Sequence, residues 1–413
     1  MAHTRTSSTF RSAGAEPSKA AGGLRFWAAG YTLLILLIGT NLPTPLYHGY
    51  QLKFGFSALT VTLIFAVYVA VLIPSLLVAG PLSDAVGRRR VLVPAVALAV
   101  LGSVAFALAQ NVVWLFAARI LQGVALGAAS GPLTAALNEL EPNGDRRRAS
   151  LVSTIASVGG LGTGPLLAGL LAQYFPAPRV TPFGLEIVLL IPAAVTVALL
   201  PATTVTARWR PRRPEIPVAM RGIFATSGSA GFLAFAVVGL ALTLVPTYVA
   251  TLSGSRNLLL GGAAVASVLA CSAVAQVLGY GRSARALQLS GLPLVAVGLI
   301  LLAVAGSVSS LTLLLVATVT AGVGHGLVFL GGLTAVNHAA PAGRHAEVAS
   351  TFLVVLYLGT GVPAVGVGFL ATVSGLLRAV QVFAVGVAVL CLIVLVVLVR
   401  RRASGAEIAP AAS

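Results

Sequence analysis

Two ionisable side chains of this sequence lie far inside long apolar runs, where a charged group needs a specific partner. His325 stands in the segment Gly322-Val-Gly-His-Gly326, and Arg119 lies in a run that begins near Trp114. A histidine titrates near neutral pH, so His325 is chemically suited to taking up and releasing a proton. It is equally suited to a hydrogen bond between two helices. The sequence leaves both interpretations of His325 open.

Arginine inside an apolar helix is costly unless it faces a wet cavity or a partner, which makes Arg119 a functional candidate. One interpretation is a cavity charge that is coupled to a substrate or to a proton. The other is that its side chain extends to a membrane interface near Trp114. Glu186, near one end of a later apolar run, is the acidic candidate. The predicted proton-coupling residues are therefore His325, Arg119 and Glu186.

Long apolar segments must position these groups. The chain has 413 residues, of which 58% are hydrophobic and only 8% are charged, whereas about a quarter of the residues of a soluble domain are charged. Runs of about 20 residues, which suffice to cross a bilayer, predict an all-α integral membrane protein with twelve transmembrane helices. The predicted spans are 26–47, 57–79, 91–109, 112–137, 149–172, 184–203, 223–250, 258–280, 288–306, 311–337, 348–373 and 378–399.

The basic residues indicate the orientation of these helices, because cytoplasmic loops are enriched in Lys and Arg. With the N-terminus inside, most of the 26 Lys and Arg residues fall in cytoplasmic segments, and four fall in outer loops (Lys53, Arg179, Arg256 and Arg378). This distribution accounts for the net charge of +17 without nucleic acid as a partner. We therefore predict a multi-pass protein of the inner (plasma) membrane, in contact with the lipid bilayer, with both termini in the cytoplasm.

The longest internal polar break, 207–222, divides the apolar runs six and six, and its prolines exclude a continuous helix. The halves repeat each other, because Leu161-Gly-Thr-Gly164 recurs as Leu358-Gly-Thr-Gly361 at an offset of 197. A six-plus-six repeat is typical of alternating-access transporters, whose substrate site lies between the halves. The predicted domains are a disordered cytoplasmic tail (1–25), an N-terminal six-helix bundle (26–206), a cytoplasmic linker (207–222), a C-terminal six-helix bundle (223–399) and a cytoplasmic tail (400–413).

A charged turn, Gly80-Pro-Leu-Ser-Asp-Ala-Val-Gly-Arg-Arg-Arg90, separates the second and third apolar runs. Gly80 and Gly87 are expected to permit a tight reversal and close approach of helices. The turn resembles the G-x-L-a-D-r-x-G-r-r loop of the Major Facilitator Superfamily, and it departs from that pattern at Ala85, where the family often has a basic residue. The resemblance implies a transporter with two six-helix halves.

Two further segments resemble motifs of the same family. The segment from Arg119 to Gly127 is similar to the R-x-x-x-G/Q-G-x-x-x-G pattern of the fourth helix. The segment Gly160-Leu-Gly-Thr-Gly-Pro-Leu-Leu-Ala-Gly169 is similar to the g-x-x-x-G-P-x-x-G-G pattern of the fifth helix, which marks drug:proton antiporters within the family. Generic packing of small residues is the alternative explanation. The residues of this antiporter-motif helix are Gly160, Gly164, Pro165 and Gly169.

The resemblance also implies a conformational latch. In the family, an acid at the inner end of the fourth helix pairs with the basic residues of the charged turn. Asp84, Arg88 and Glu139 would then form an inner-face cluster that locks the outward-facing state and breaks when the halves rock. A solvated loop charge is the alternative. The predicted latch comprises Gly80, Asp84, Gly87, Arg88, Arg89 and Glu139.

In the family's layout, the first, fourth, seventh and tenth helices line a central cavity. Pro43, Pro45 and Pro246 are expected to bend the first and seventh helices. The substrate-binding residues that this layout implies are Tyr31, Asn41, Arg119, Gln122, Thr243, Tyr248 and His325, together with Tyr357 on the eleventh helix.

The sequence as a whole predicts a monomeric transporter that exports small amphiphilic molecules by alternating access, in exchange for protons. The alternative within transport is a facilitator or an importer of sugars or organic acids. An integral membrane enzyme is disfavoured, because the sequence shows no His/Asp/Glu cluster with metal spacing and no activated Ser or Cys. No metal and no cofactor are predicted.

Overall fold

The computed structural model describes residues 19–200, 216–255, 257–341 and 344–403. Within these ranges every regular element is a helix. The α-helices are α1 (Lys19–Asn41), α2 (Tyr47–Phe54), α3 (Ala58–Val86), α4 (Arg88–Ala107), α5 (Val112–Leu140), α6 (Arg146–Tyr174), α7 (Thr181–Ala198), α8 (Arg221–Thr243), α9 (Val245–Ser253), α10 (Leu258–Gly279), α11 (Ala284–Ser307), α12 (Leu311–Ala339), α13 (His345–Ser374) and α14 (Leu376–Ala403).

The helices provide 12 candidate membrane spans in the described part of the chain. The first span, Gly23–Phe54, combines α1 and α2. The predicted all-α membrane fold with twelve spans is confirmed. Helix α1 begins earlier than the predicted start of the first bundle at residue 26. Residues 1–18 of the predicted tail, 207–215 of the predicted linker and 404–413 at the end lie outside the described residues.

The first helix of each half is interrupted at the predicted prolines. Helix α1 ends before Pro43, and a single 3-10 turn that contains Pro45 leads into α2. In the second half α8 ends at Thr243, and Pro246 lies in the first turn of α9. Proline lacks the N–H that would continue the helical hydrogen bonds, so each helix stops and restarts. The expected bends are therefore present.

The two halves have the same internal packing. In the first half (α1–α7), α5 packs on α3 and α4, α1 packs on α6, and α4 packs on α7. In the second half (α8–α14), α12 packs on α10 and α11, α8 packs on α13, and α11 packs on α14. Each contact in one half thus has its counterpart in the other. This correspondence is the pseudo-symmetry that the repeated Leu-Gly-Thr-Gly segments indicate.

The halves contact each other through α3 with α13 and through α6 with α10. Two hydrogen bonds join them at one end of the bundle. The backbone N–H of Leu59 donates to Thr372 Oγ1 at 3.2 Å, and the backbone N–H of Leu258 donates to Gln173 Oε1 at 2.9 Å. We call this end, with its four residues, the closed end. Helix α3 runs from Leu59 at the closed end to Asp84 at the opposite end, which we call the charged end.

Glycines allow the backbones of the two halves to touch near the closed end. A Cβ atom at Gly262 of α10 would collide with the carbonyl oxygen of Pro165 in α6. On the other side, a Cβ at Gly368 of α13 would collide with Thr62 of α3. The absence of a side chain therefore sets the distance between the halves.

Candidate functional site

Arg119 on α5 lies in the interior of the first half and is 0% exposed. Its Nε donates to Tyr47 Oη at 2.7 Å, and its Nη1 donates to the carbonyl oxygen of Thr40 at 2.7 Å and to Gln122 Oε1 at 3.0 Å. Nη2 has no hydrogen-bond partner among the described residues. The C-terminal end of α1 and the start of α2 thus provide two of the oxygen atoms that accept hydrogen bonds from this guanidinium, and Gln122 of α5 provides the third.

Four aromatic rings surround the same guanidinium. The centroids of the rings lie 5.3 to 6.0 Å from Arg119 Cζ and belong to Tyr47, Phe65, Tyr68 and Phe106. Aromatic faces carry negative potential and partly compensate a buried cation. Trp114 is exposed, whereas Arg119 is enclosed. The interpretation that Arg119 extends to the membrane interface is therefore wrong.

Glu186 on α7 is buried next to α1 and is only 3% exposed. Ser103 on α4 donates a hydrogen bond to its carboxylate, with an Oγ to Oε2 distance of 2.7 Å. A Cβ at Gly39 would collide with the carboxylate, so this glycine makes room for it. Although Glu186 is close to one end of the span, the structure places it inside the helix bundle.

A small cavity lies between Glu186 and the polar groups that hold Arg119. Its volume is about 10 Å³, and its polar lining comes from Thr40, Gln122 and Glu186. A cavity of this size has room for about one water molecule. Gln122 donates to the carbonyl oxygen of Gly39 at 3.2 Å and accepts from Arg119, and its side chain lines the same cavity as Glu186. We call Arg119, Gln122, Glu186, Tyr47 and Ser103 the first-half polar cluster.

His325 on α12 is the corresponding buried group of the second half and is 5% exposed. Its Nδ1 lies 2.8 Å from Ser272 Oγ on α10. Its ring contacts the rings of Phe235 on α8 and Phe329 on α12. His325 therefore does form a hydrogen bond between helices, while its Nε2 has no hydrogen-bond partner among the described residues.

Most of the other predicted substrate-binding residues donate hydrogen bonds to backbone carbonyl oxygens in this structure. Tyr31 donates to the carbonyl oxygen of Leu189 at 2.8 Å, and Asn41 donates to that of Leu161 at 3.1 Å. In the second half, Thr243 donates to the carbonyl oxygen of Gly239 at 2.7 Å, and Tyr248 donates to that of Leu302 at 3.4 Å. Tyr357 on α13 is partly buried. Their binding of a substrate stays a prediction.

The predicted charge cluster is formed at the charged end. Arg88 donates from Nε and Nη2 to the two carboxylate oxygens of Glu139, at 2.7 and 2.5 Å, and its Nη1 lies 3.6 Å from Asp84 Oδ1. Gly87 precedes Arg88 with a φ of 94°, a conformation that favours glycine. Arg89 is exposed, and the ion pairs described here join Arg88, not Arg89, to Asp84 and Glu139.

Two expectations about this cluster need correction. Gly80 lies within α3, and a Cβ there would meet no atom within 4 Å, so it does not form a reversal or a close contact. Asp84, Arg88 and Glu139 all belong to the first half. A rigid rocking of the halves leaves the distances within one half unchanged, so it does not break the cluster. In a rocking movement, only the position of this intact cluster relative to the second half would change.

We expect Glu139→Gln to weaken the closure of the charged end more than Asp84→Asn. The Glu139 carboxylate forms two short hydrogen bonds with Arg88, whereas Asp84 is exposed and more distant. Losing a partly exposed pair of this kind changes a two-state equilibrium by about fivefold at most. The readout is alkylation of Thr62→Cys at the closed end, with Cys271 and Cys391 replaced by serine.

In this assay Glu139→Gln should slow the alkylation, because the closed end then opens less often. Arg90→Gln is the matched control, since Arg90 is exposed one turn or less from Arg88. Equal alkylation rates for Glu139→Gln and Arg90→Gln would refute the latch.

The glycines of the antiporter-motif helix make close contacts in two directions. A Cβ at Gly160 would lie 2.8 Å from the carbonyl oxygen of Leu34, and a Cβ at Gly164 would lie 2.5 Å from that of Ile38, so both face α1. Gly169 faces the other half, where its Cβ would lie 2.8 Å from the carbonyl oxygen of Leu258. Together with Pro165 and Gly262, the motif thus lies where α6 contacts both α1 and α10.

Comparison with known proteins gives partial sequence matches. The chain is 34% identical over 239 residues to an uncharacterized MFS-type transporter of Mycobacterium tuberculosis. The matched segment covers 55% of this chain and 31% of the relative. It is 28% identical over 149 residues to the bacillibactin exporter of Bacillus subtilis (34% and 37% of the two chains). It is 39% identical over 126 residues to the gallate transporter of Pseudomonas putida (30% and 26%). The chain spans about a third of the length of these relatives.

The similarity in three dimensions covers almost the whole chain. A bacterial homologue of the human lysosomal transporter Spinster, in an inward-facing and occupied conformation, superposes with a TM-score of 0.74. The superposition covers 96% of this chain and 100% of the other, at 15% sequence identity, so it concerns the fold. The family model described as Major Facilitator Superfamily matches residues 29–364. With most of its length matched, the chain belongs to the Major Facilitator Superfamily.

Proposed function

We propose that the chain is a secondary transporter of the drug:proton antiporter branch, which exports small amphiphilic molecules across the plasma membrane by alternating access. The observation that carries this proposal is the first-half polar cluster. It contains a cation and a carboxylate, Arg119 and Glu186, that are both buried inside membrane spans. Ionisable groups at such positions are expensive and therefore mark ion or substrate pathways.

The chemistry of the cluster fits proton exchange. In the deprotonated state, the Glu186 carboxylate is stabilised by Ser103 and by the positive field of Arg119. In the protonated state it is neutral and no longer attracts Arg119, whose Nη2 lacks a hydrogen-bond partner in the described residues. Binding or release of one proton therefore changes the force between α5 and α7. His325 is the second candidate carrier.

The packing of the halves fits alternating access. Their contacts through α3 with α13 and α6 with α10 include two side-chain hydrogen bonds at the closed end. Within each half the helices pack against one another in the same pairs. Movement of one half against the other would open the closed end and bring the charged end together.

Two observations support export. The glycines of the antiporter-motif helix make close contacts with α1 and α10, the helices on which it would have to slide. One relative, over about a third of its length, is the bacillibactin exporter. A cargo with a large apolar part, such as an amphiphilic molecule, is favoured because most residues of the helices are Leu, Val and Ala.

A second candidate is a facilitator or an importer of organic acids. The similarity to the gallate transporter favours it over a sugar carrier. The two candidates differ in their dependence on a proton gradient and in the direction of net movement.

Efflux from proteoliposomes tests the proposal. We expect a panel of dyes and antibiotics to include compounds that accumulate against their gradient when a pH gradient is imposed, and a protonophore to abolish this accumulation. Glu186→Gln should still exchange the compounds but should not concentrate them, because it cannot release a proton. Glu347→Gln is the control, since this carboxylate pairs with Arg344 at the charged end.

Equilibration that ignores the pH gradient in the wild-type protein would support the facilitator instead. Proton-driven accumulation by Glu186→Gln would exclude Glu186 as the carrier, and His325→Ala would then be the next variant to measure.

A further inference from the structure

A chain of hydrogen bonds in the second half ends at His325. Gln276 Nε2 donates to Ser272 Oγ at 3.1 Å, and Ser272 Oγ lies 2.8 Å from His325 Nδ1. The first two residues are one turn apart on α10, and His325 faces them from α12. This series of hydrogen bonds ends at His325, whose buried Nε2 has no hydrogen-bond partner in the described part of the protein.

The order of these bonds favours one histidine tautomer. Ser272 Oγ accepts the hydrogen bond from Gln276, and its own hydroxyl proton is available to Nδ1. In the neutral ring Nδ1 is then the acceptor and Nε2 carries the proton. In this tautomer His325 Nε2 is a donor, and a buried donor of this kind needs an acceptor.

Aromatic rings lie next to this donor. The ring of Phe235 lies 4.8 Å from that of His325, and the ring of Phe329 is almost parallel to it, at 6.4 Å and 7°. Phe235 and Phe329 also contact each other, with 5.6 Å between their centroids. Three rings from two helices thus form one aromatic group, which includes the buried Nε2 atom of His325.

Phe235 and Phe329 are partly exposed, whereas His325 is buried. Helix α8, which bears Phe235, is the most enclosed span, since 72% of the residues in its most apolar stretch are buried. It is packed by α12 and α13 of its own half and also contacts α3 of the other half. Because so little of α8 can face lipid, we attribute the exposed edge of Phe235 to the space between the halves.

We propose that Phe235, His325 and Phe329 form a substrate subsite for a planar aromatic ring that carries an oxygen acceptor, such as a carboxylate or a phenolic oxygen. The ring would stack on the phenylalanines, and the oxygen would accept the hydrogen bond from His325 Nε2. Helices α8, α10 and α12 contain no Asp or Glu, so an anionic acceptor meets no like charge from them. This proposal rests on the proposed function and deepens it by naming the class of molecule that is transported.

Binding to the purified full chain in detergent, measured by isothermal titration calorimetry, tests the subsite without any gradient. The probes are 4-hydroxybenzoate, cyclohexanecarboxylate, which has the acceptor without the aromatic ring, and benzylamine, which has the ring without the acceptor. We expect 4-hydroxybenzoate to bind the wild-type chain at least about tenfold more tightly than either of the others.

Four variants separate the parts of the subsite. His325→Phe keeps a ring but loses the donor and should weaken binding of 4-hydroxybenzoate about tenfold, whereas His325→Gln keeps a donor and should recover part of that loss. Ser272→Ala frees Nδ1 and should weaken binding less than His325→Phe. Phe369→Leu on α13 is the control for Phe329→Leu, because Phe369 is 56% exposed.

Equal binding of 4-hydroxybenzoate and cyclohexanecarboxylate would overturn the proposal, as would unchanged binding to His325→Phe or no binding of any probe to the wild-type chain. Thermal unfolding of each variant shows whether it is folded. The proposed antiport is judged separately by the efflux assay. Tight binding without proton-driven efflux would refute the antiport alone, and proton-driven efflux without aromatic selectivity would refute the subsite alone.

Discussion

Arg119→Ala is expected to abolish transport and to lower the free energy of unfolding by about 3–5 kcal/mol, the range for removing one partner of a buried ionic network. The guanidinium is fully buried and donates to Tyr47, Thr40 and Gln122. Its loss leaves these oxygen atoms without a donor and leaves Glu186 without a nearby cation. Thermal unfolding in detergent and the efflux assay measure the two effects.

Two further variants distinguish the network from simple loss of volume. Arg119→Lys keeps the charge but cannot reproduce the fork of donors, so it should remain impaired. Adding Glu186→Gln to Arg119→Ala should restore part of the stability, because the unpaired buried carboxylate is removed. If Arg119→Ala unfolds like Arg90→Ala, which removes an exposed arginine, the network does not stabilise the first half.

Gly262→Val is expected to prevent closure of the closed end and to reduce the transport rate about tenfold to a hundredfold, the equivalent of a typical overpacking cost. A side chain at Gly262 meets the carbonyl oxygen of Pro165 and the backbone of Gly169, neither of which can rotate away. The halves must therefore separate at this point. Alkylation of Thr62→Cys at the same end should become faster while transport becomes slower.

Gly386→Val on α14 is the matched control for this substitution. It makes the same change in a helix, but a Cβ at Gly386 meets no atom within 4 Å. If Gly262→Val transports at the rate of Gly386→Val, the contact of α6 with α10 is not part of the cycle.

The sequence predicted the architecture because membrane-length apolar runs and prolines leave few choices. The twelve spans and the interruptions at Pro43, Pro45 and Pro246 are all present. The wrong detail was Gly80, which lies within α3. A glycine followed by proline next to charged residues is typical of a turn, yet here α3 continues through both residues to Val86.

Arg119, Glu186 and His325 could be identified because an ionisable residue stands out within an apolar run. Their partners could not. Ser103 and Ser272 are small hydroxyl residues, which occur often in membrane helices and carry no signal for a particular partner. The sequence also could not show that Tyr31 and Tyr248 donate to backbone carbonyl oxygens, because such bonds depend on how the helices rotate about their axes.

The two hydrogen bonds at the closed end affect how easily the protein changes state. In each of them a side chain of one half, Thr372 or Gln173, accepts from a backbone N–H in the first turn of a helix of the other half. Such N–H groups have no partner within their own helix, and water can take the place of the side chain. Opening this end therefore exchanges protein partners for solvent at a net cost of about 1 kcal/mol per bond. The two exchangeable bonds therefore add only a small free-energy cost to separating the halves at this end.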